Sequence, residues 1–212
     1  MIVLNKNKAI EIIEILKKYY PEATCSLDFK SPFELLVAVV LSAQCTDKRV
    51  NLVTPDIFSK YNTPKDFAKL DLDELEKLIH STGFYKNKAK NLKQCSIKLV
   101  EEYNSIVPNT MEELIKLPGV GRKSANVILV DAYNICVGIA VDTHAKRVSN
   151  RLGFSKESSP NKIEQDLINL VPDKYLKDLN HLFVFHGRNT CTAQKPKCDI
   201  CPVRIYCNSK FY

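Results

Sequence analysis

Leu114-Ile115-Lys116-Leu117-Pro118-Gly119-Val120-Gly121-Arg122-Lys123-Ser124-Ala125-Asn126 reads as the end of one helix, a tight turn with glycines two apart, and the start of a second helix. Such a turn leaves backbone N–H groups uncovered by side chains. Those amides add to the positive end of the following helix, so the stretch forms an anion site able to grip a phosphate without reading a base sequence. A plain helix-helix turn also favours Pro and Gly, so the two glycines alone say little. The whole string LPGVGRKSAN is far more specific.

Outward from that turn the chain is written as helices punctuated by proline. Ser31-Pro32-Phe33-Glu34 combines an N-cap serine, proline at the first helical position and glutamate at the capping-box position, ahead of the apolar run LLVAVVL. Thr63-Pro64-Lys65-Asp66, Thr110-Met111-Glu112-Glu113 and Ser159-Pro160 announce further starts, while Pro21, Gly83, Pro108, Gly153 and Pro172 fall where the patterns stop. Ile10, Ile13 and Leu16, and again Ala89, Leu92, Ser96, Leu99 and Tyr103, recur at helical spacing. The one β-like stretch, VGIAV at Val137 to Val141, is too short and isolated to build a sheet. The expectation is an all-α protein of about ten short helices with no fixed-period repeat and no low-complexity linker.

The 212 residues suffice for one large or two small domains, and a 45% hydrophobic content is that of a globular protein with a core. The longest apolar run, Leu35 to Leu41, falls far short of the roughly 20 residues a membrane span needs. The formal charge of +7, from 31 Lys and Arg against 24 Asp and Glu, suits a polyanionic partner but also occurs in proteins with none.

Near the C-terminus stand Cys191, Cys198, Cys201 and Cys207 in the pattern C-x6-C-x2-C-x5-C. Four thiolates this close can converge on one metal centre, and thiolate is the soft ligand that iron-sulfur clusters and zinc prefer. Two disulfides in an exported module are the alternative, but the N-terminus MIVLNKNKAIEII shows no secretion signal, so a reducing, cytoplasmic setting is expected. Structural zinc usually takes two tight C-x2-4-C hooks, whereas only Cys198 and Cys201 form one here; the outlying cysteines suit a larger cubane better. Of the scattered cysteines, Cys45, Cys95 and Cys136 lie in or beside apolar segments and read as small buried hydrophobes, and Cys25 stands alone.

Two residues suggest chemistry. Lys123 lies in the first turn of the helix after the hairpin, where the helix dipole disfavours a cation and Arg122 adds like-charge repulsion; both favour the neutral amine, a nucleophile able to form a Schiff base. By spacing alone, a lysine touching a phosphate is the more ordinary reading. Downstream, Val141-Asp142-Thr143-His144 places Asp142 as a helix N-cap, its ordinary role. A carboxylate at a helix start near a reactive lysine is also what glycosidic cleavage needs, because the departing base leaves an oxocarbenium-like sugar that a fixed negative charge stabilises.

LPGVGRKSAN resembles the helix-hairpin-helix motif of non-sequence-specific DNA-binding proteins. With LSAQCTD at Leu41 to Asp47, VDTHAKRV, HGRNTC at His186 to Cys191 and the cysteine quartet, it occurs in the order and approximate spacing seen in the endonuclease III family, bifunctional DNA glycosylases and abasic-site lyases for oxidised pyrimidines. The similarity runs from about Ser31 to Cys207.

The resemblance implies a two-lobed all-α fold with a groove between the lobes. Residues 24–133 would form a six-helix domain carrying the hairpin; residues 1–23 with 134–212 would form a second, discontinuous domain. Lys123 and Asp142 would be catalytic. The four cysteines, Cys191, Cys198, Cys201 and Cys207, would hold a structural [4Fe-4S] cluster. DNA would be met by Gly119, Val120, Gly121, Arg122 and His144, and by Lys195 and Lys197 in the cluster loop. Gln44 matches the family's residue that fills the gap left by the extruded base; Phe84 aligns with an opposite-strand wedge, where an aliphatic side chain is more usual, and burial in the core is its alternative. The implied partner is duplex DNA with oxidised pyrimidines or abasic sites, engaged by a monomer. Monofunctional mismatch glycosylases share the hairpin, aspartate and cysteines but lack the lysine. A helical DNA-binding protein with a structural metal is the non-enzymatic alternative.

Overall fold

Side-chain caps fix where many of the helices begin. In the computed structural model, which describes residues 4–209, Ser31 accepts from the Glu34 amide at 3.2 Å to start α2 (Pro32–Ser42). The Glu34 carboxylate reaches back to the Lys30 amide at 2.6 Å, one residue earlier than a strict capping box. Thr46 starts α3 (Asp47–Phe58), Thr63 and Asp66 close a full capping box on α4 (Pro64–Lys69), and Asp71 starts α5 (Leu72–Ile79). A short 3-10 turn, His80–Thr82, leads into α6 (Tyr85–Glu102). Thr110 caps α7 (Met111–Leu114), a single turn, and the hairpin delivers the chain to α8 (Arg122–Tyr133).

These elements belong to one compact unit, Cys25–Ile135; the segments Met1–Thr24 and Cys136–Tyr212 make the other. Every residue of α2 from Phe33 to Leu41 is buried, so this helix is apolar on all sides and forms the spine against which α3, α6 and α8 pack. Fully burying each Leu or Val there contributes roughly 1.5–3 kcal/mol relative to exposure.

The second unit is built from α1 (Lys6–Tyr19), α9 (Thr143–Leu152), α10 (Pro160–Leu170) and α11 (Asp173–Asn189). Ala9, Ile12, Ile13 and Leu16 of α1 join Leu176, Leu179 and Phe183 of α11 and Val148 of α9 in one core. The Gly138 to Val141 stretch is buried yet forms no strand; the Ile139 amide is met by the buried Glu164 carboxylate at 3.3 Å. No strand occurs among the described residues, and no helix there is long and apolar enough to cross a membrane.

Three expectations need adjusting. Cys95 is buried, but Cys45 and Cys136 are only half-buried, because each sits in a loop beside its apolar segment and not within it. The start signalled by Thr110 yields one turn only. Ser159 precedes α10 without a capping hydrogen bond, leaving Pro160 to set the entry.

Candidate functional site

Within the unit Cys25–Ile135, the end of the hairpin, Gly121 to Lys123, is exposed. Leu114 and Leu117 are buried and anchor the incoming side, and Gly119 sits at φ +81°, a conformation that favours glycine. A Cβ there would also lie 3.0 Å from Asn91 Cβ. Val120, expected at the phosphate, is buried, and its amide donates to the Leu117 carbonyl at 3.1 Å; it fastens the turn to the core. Gly121 differs in kind. Its φ of −95° is open to any residue, and an added Cβ would meet nothing within 4 Å. Neither backbone strain nor packing therefore requires a glycine at this position. As N-cap of α8 it supplies no side-chain acceptor to the amides of the first turn. Arg122 and Lys123 follow, both exposed, at the first two positions of α8. The arrangement can accept an anion while presenting a primary amine one helical turn or less away.

The same unit carries two exposed tips. Gln44 follows α2 at φ +53°, and Phe84 follows the His80–Thr82 turn at φ +48°. Phe84 is 63% exposed, which excludes the core alternative for that ring. Left-handed conformations at non-glycine residues cost about 1–3 kcal/mol and persist only when the surroundings enforce them.

In the second unit, Asp142 is the N-cap of α9, and its Oδ1 accepts from the Ala145 amide at 2.7 Å. The cap uses one oxygen of a half-buried carboxylate, so the same group can cap the helix and present Oδ2. His144, half-buried, has Nδ1 at 3.1 Å from Arg147 Nη2. Because a guanidinium can only donate, Nδ1 is the acceptor and the ring proton resides on Nε2. Gly187 lets α11 approach α9 closely here: a Cβ on it would stand 2.9 Å from His144 Cβ.

Sequence reasoning assigned no role to Arg147 or Arg151, yet they join α9 to the cysteine loop. Arg147 donates to the Cys191 carbonyl at 2.9 Å and the Gly187 carbonyl at 2.8 Å. Arg151, one turn on, donates to the Thr192 carbonyl at 2.7 Å, the Ala193 carbonyl at 2.9 Å and Cys191 Sγ at 3.2 Å. Their i, i+4 spacing was visible, but most of their partners are carbonyl oxygens some forty residues away.

Cys191, Cys198, Cys201 and Cys207 line one pocket, together with Arg151 and His186. Burial, joined by smaller repulsions from the other three sulfurs, pushes the Cys201 thiol up to about 11. A cationic metal core removes that penalty. Among the described residues no group of three or more His, Cys, Asp or Glu is placed to hold a single ion. His186, buried and pushed down to about 4 by that burial and by Arg147, sits with Nε2 3.7 Å from Cys201 Sγ and Nδ1 3.1 Å from the Tyr20 hydroxyl. Lys195 and Lys197 are exposed on the loop between the first two cysteines.

Comparison with known proteins agrees with this geometry. Residues 37–173 match the HhH-GPD superfamily of base excision DNA repair proteins, and residues 191–207 match the iron-sulfur binding domain of endonuclease III. The chain is 51% identical to endonuclease III of Synechocystis over 96% of its own length and 93% of the relative's. With endonuclease III of Escherichia coli it shares 42% identity over 98% of both chains. The solved structure of a trapped endonuclease III–DNA covalent intermediate superposes with a TM-score of 0.91 at 44% identity, covering 97% of each chain. A thermostable thymine-DNA glycosylase, at 24% identity and a TM-score of 0.84, shares the fold.

Proposed function

The chain belongs to the endonuclease III family of base excision DNA repair proteins, and from that premise we infer that it is a DNA glycosylase and abasic-site lyase acting on oxidised pyrimidines in duplex DNA. The observation that carries the reading is Lys123: an exposed residue in the first turn of α8, directly after a hairpin whose last residue, the N-cap Gly121, has no side chain.

Phosphate is held by the first-turn amides and by Arg122. The damaged nucleotide leaves the stack, and Gln44 and Phe84 occupy the space it vacates. Lys123 Nζ, unprotonated, forms a bond to the sugar C1′ as the bond from C1′ to the base breaks; the base departs with the bonding electron pair and takes a proton from water. Asp142 stabilises the positive charge that develops on the sugar and accepts a proton from the amine. Asp142 returns that proton to the ring oxygen as the C1′–O4′ bond breaks, leaving an iminium at C1′ that acidifies the 2′ hydrogen. Loss of that proton expels the 3′ phosphate and breaks the strand on the 3′ side of the lesion. A [4Fe-4S] core, held by the four cysteines, fixes the loop that presents Lys195 and Lys197 and takes no part in these steps. Free cysteines and an oxidisable cluster suit a reducing, cytoplasmic compartment, and the protein works as a monomer.

The test is borohydride trapping on a duplex carrying thymine glycol or an abasic site. Wild type should yield a covalent protein–DNA adduct on a denaturing gel, and Lys123→Gln should yield none. An adduct as abundant with Lys123→Gln as with wild type would place the Schiff base elsewhere. A wild-type protein that binds DNA and never traps would leave the non-catalytic alternative.

A further inference from the structure

Lys88 is one of the few charged residues with almost no exposure: 4% of its surface is accessible. It lies in the first turn of α6, where the helix dipole disfavours a cation, and burial pulls its amine below the ordinary lysine range. A methionine would fill the same volume without either penalty. The amine must therefore serve its hydrogen bonds, and these go to two separate segments: Nζ donates to the Leu41 carbonyl at 2.8 Å and to the Thr82 carbonyl at 2.8 Å.

Both carbonyls lie at element ends. Leu41 is in the last turn of α2, where main-chain acceptors lose their helical partners, and Thr82 ends the His80–Thr82 turn. Each is followed within three residues by an exposed residue in the left-handed region, Gln44 after the first and Phe84 after the second. The Lys88 amide also donates to the Phe84 carbonyl at 3.2 Å, so the same residue holds the second tip from its main chain. All of these residues lie in the unit Cys25–Ile135.

We propose that Lys88 is a positioning residue that sets the spacing of the two DNA-entering tips, holding the backbone behind Gln44 and the backbone behind Phe84 on one ammonium group. The proposal rests on the reading of Gln44 and Phe84 as the residues that replace the extruded nucleotide. One fixed amine makes the tips enter as a pair, so neither has to find its depth alone. Lys88 touches no substrate, and its influence falls on extrusion ahead of bond breaking.

The experiment uses a duplex with a stable abasic analogue opposite 2-aminopurine, whose fluorescence rises when that base unstacks. Full-length wild type, Lys88→Met, Lys88→Gln, Gln44→Ala and Phe84→Ala are compared, with binding to undamaged duplex and thermal midpoint measured for each. Lys88→Met and Gln44→Ala should each slow unstacking at least tenfold, Lys88→Met with undamaged-duplex binding within twofold of wild type. Adding Gln44→Ala to Lys88→Met should slow it by less than the product of the two single effects. If Lys88→Met does not accumulate as folded protein, Lys88→Gln carries the test: it keeps N–H donors on a shorter reach and should slow unstacking at least threefold. Unstacking at the wild-type rate in the lysine variants, while Gln44→Ala is slow, overturns the clamp. So does a lysine variant that loses undamaged-duplex binding in the same proportion as unstacking, since that reports general loosening. If Gln44→Ala and Phe84→Ala both unstack the base as wild type does, the insertion reading falls first, and the clamp with it.

Discussion

Replacing Gly119 and Gly121 by alanine, one at a time, separates what the hairpin needs for folding from what it offers a ligand. At Gly119, alanine would have to hold φ +81° and place its methyl 3.0 Å from Asn91 Cβ. The left-handed backbone costs an L-residue about 1 kcal/mol, and the close contact brings the total to about 2 kcal/mol, a fall in thermal midpoint of roughly 4–8 °C for a chain of this size. At Gly121 the methyl meets nothing within 4 Å and the backbone is unstrained. The stability cost there is about 0.7 kcal/mol, the difference between glycine and alanine as an N-cap. The methyl would, however, project into the open space through which a phosphate would reach the first-turn amides. Losing one charge-assisted hydrogen bond to phosphate costs about 1.5 kcal/mol, or roughly tenfold in affinity. Thermal denaturation followed by circular dichroism reads the first effect, and fluorescence anisotropy with a labelled undamaged duplex at fixed salt reads the second. Gly121→Ala binding DNA as tightly as wild type would refute the amide site, and Gly119→Ala with an unchanged midpoint would refute the strain argument.

Further outcomes follow from other parts of the structure. Lys195→Ala combined with Lys197→Ala should weaken binding to all duplexes alike and lower the slope of log affinity against log salt by about 2, if each lysine meets one phosphate; an unchanged slope means the cluster loop does not face DNA. Cys95 is fully buried and its thiol is pushed up to about 12 against an ordinary 9. Above about pH 9 the unfolded chain gives up a proton that the native one keeps, so this thiol contributes stability below that pH and withdraws about 1.4 kcal/mol per pH unit above it. Urea titrations at about pH 9 and about pH 10 should therefore show a shallower alkaline loss in Cys95→Ala than in wild type, and equal losses would refute the assignment. Arg151→Met removes the donors to the Thr192 and Ala193 carbonyls. The visible absorbance of the cluster should then bleach several-fold faster under a chelator, whereas wild-type bleaching would show that α9 does not brace the loop.

Local features were the legible ones. The hairpin, the caps at Ser31, Thr63 and Asp142 and the cysteine spacing all operate within a few residues, so each residue type and its neighbours carry the message. Lys88 left no such trace. It stands among other lysines in YKNKAKN, and its partners are carbonyl oxygens at Leu41 and Thr82, which look alike at every position of a sequence. Arg147 and Arg151 were hidden for the same reason, and His186 was visible only as a letter in HGRNTC. The exposure of Phe84 was also undecidable beforehand, because hydrophobicity argues for burial and only the turned-out backbone after Gly83 reverses it.

The chain order of the two units has a consequence during synthesis. Helix α1 is made first, yet the helix it pairs with, α11, begins at Asp173, more than 150 residues after α1 ends at Tyr19. At roughly 5–20 residues per second, its apolar face bearing Ile12, Ile13 and Leu16 waits about 8–30 s for a partner. Meanwhile the intervening unit Cys25–Ile135 emerges whole and can fold. The hairpin is therefore complete before the first cluster cysteine has been translated, and iron delivery falls at the end of the assembly sequence, when α1 at last finds its place.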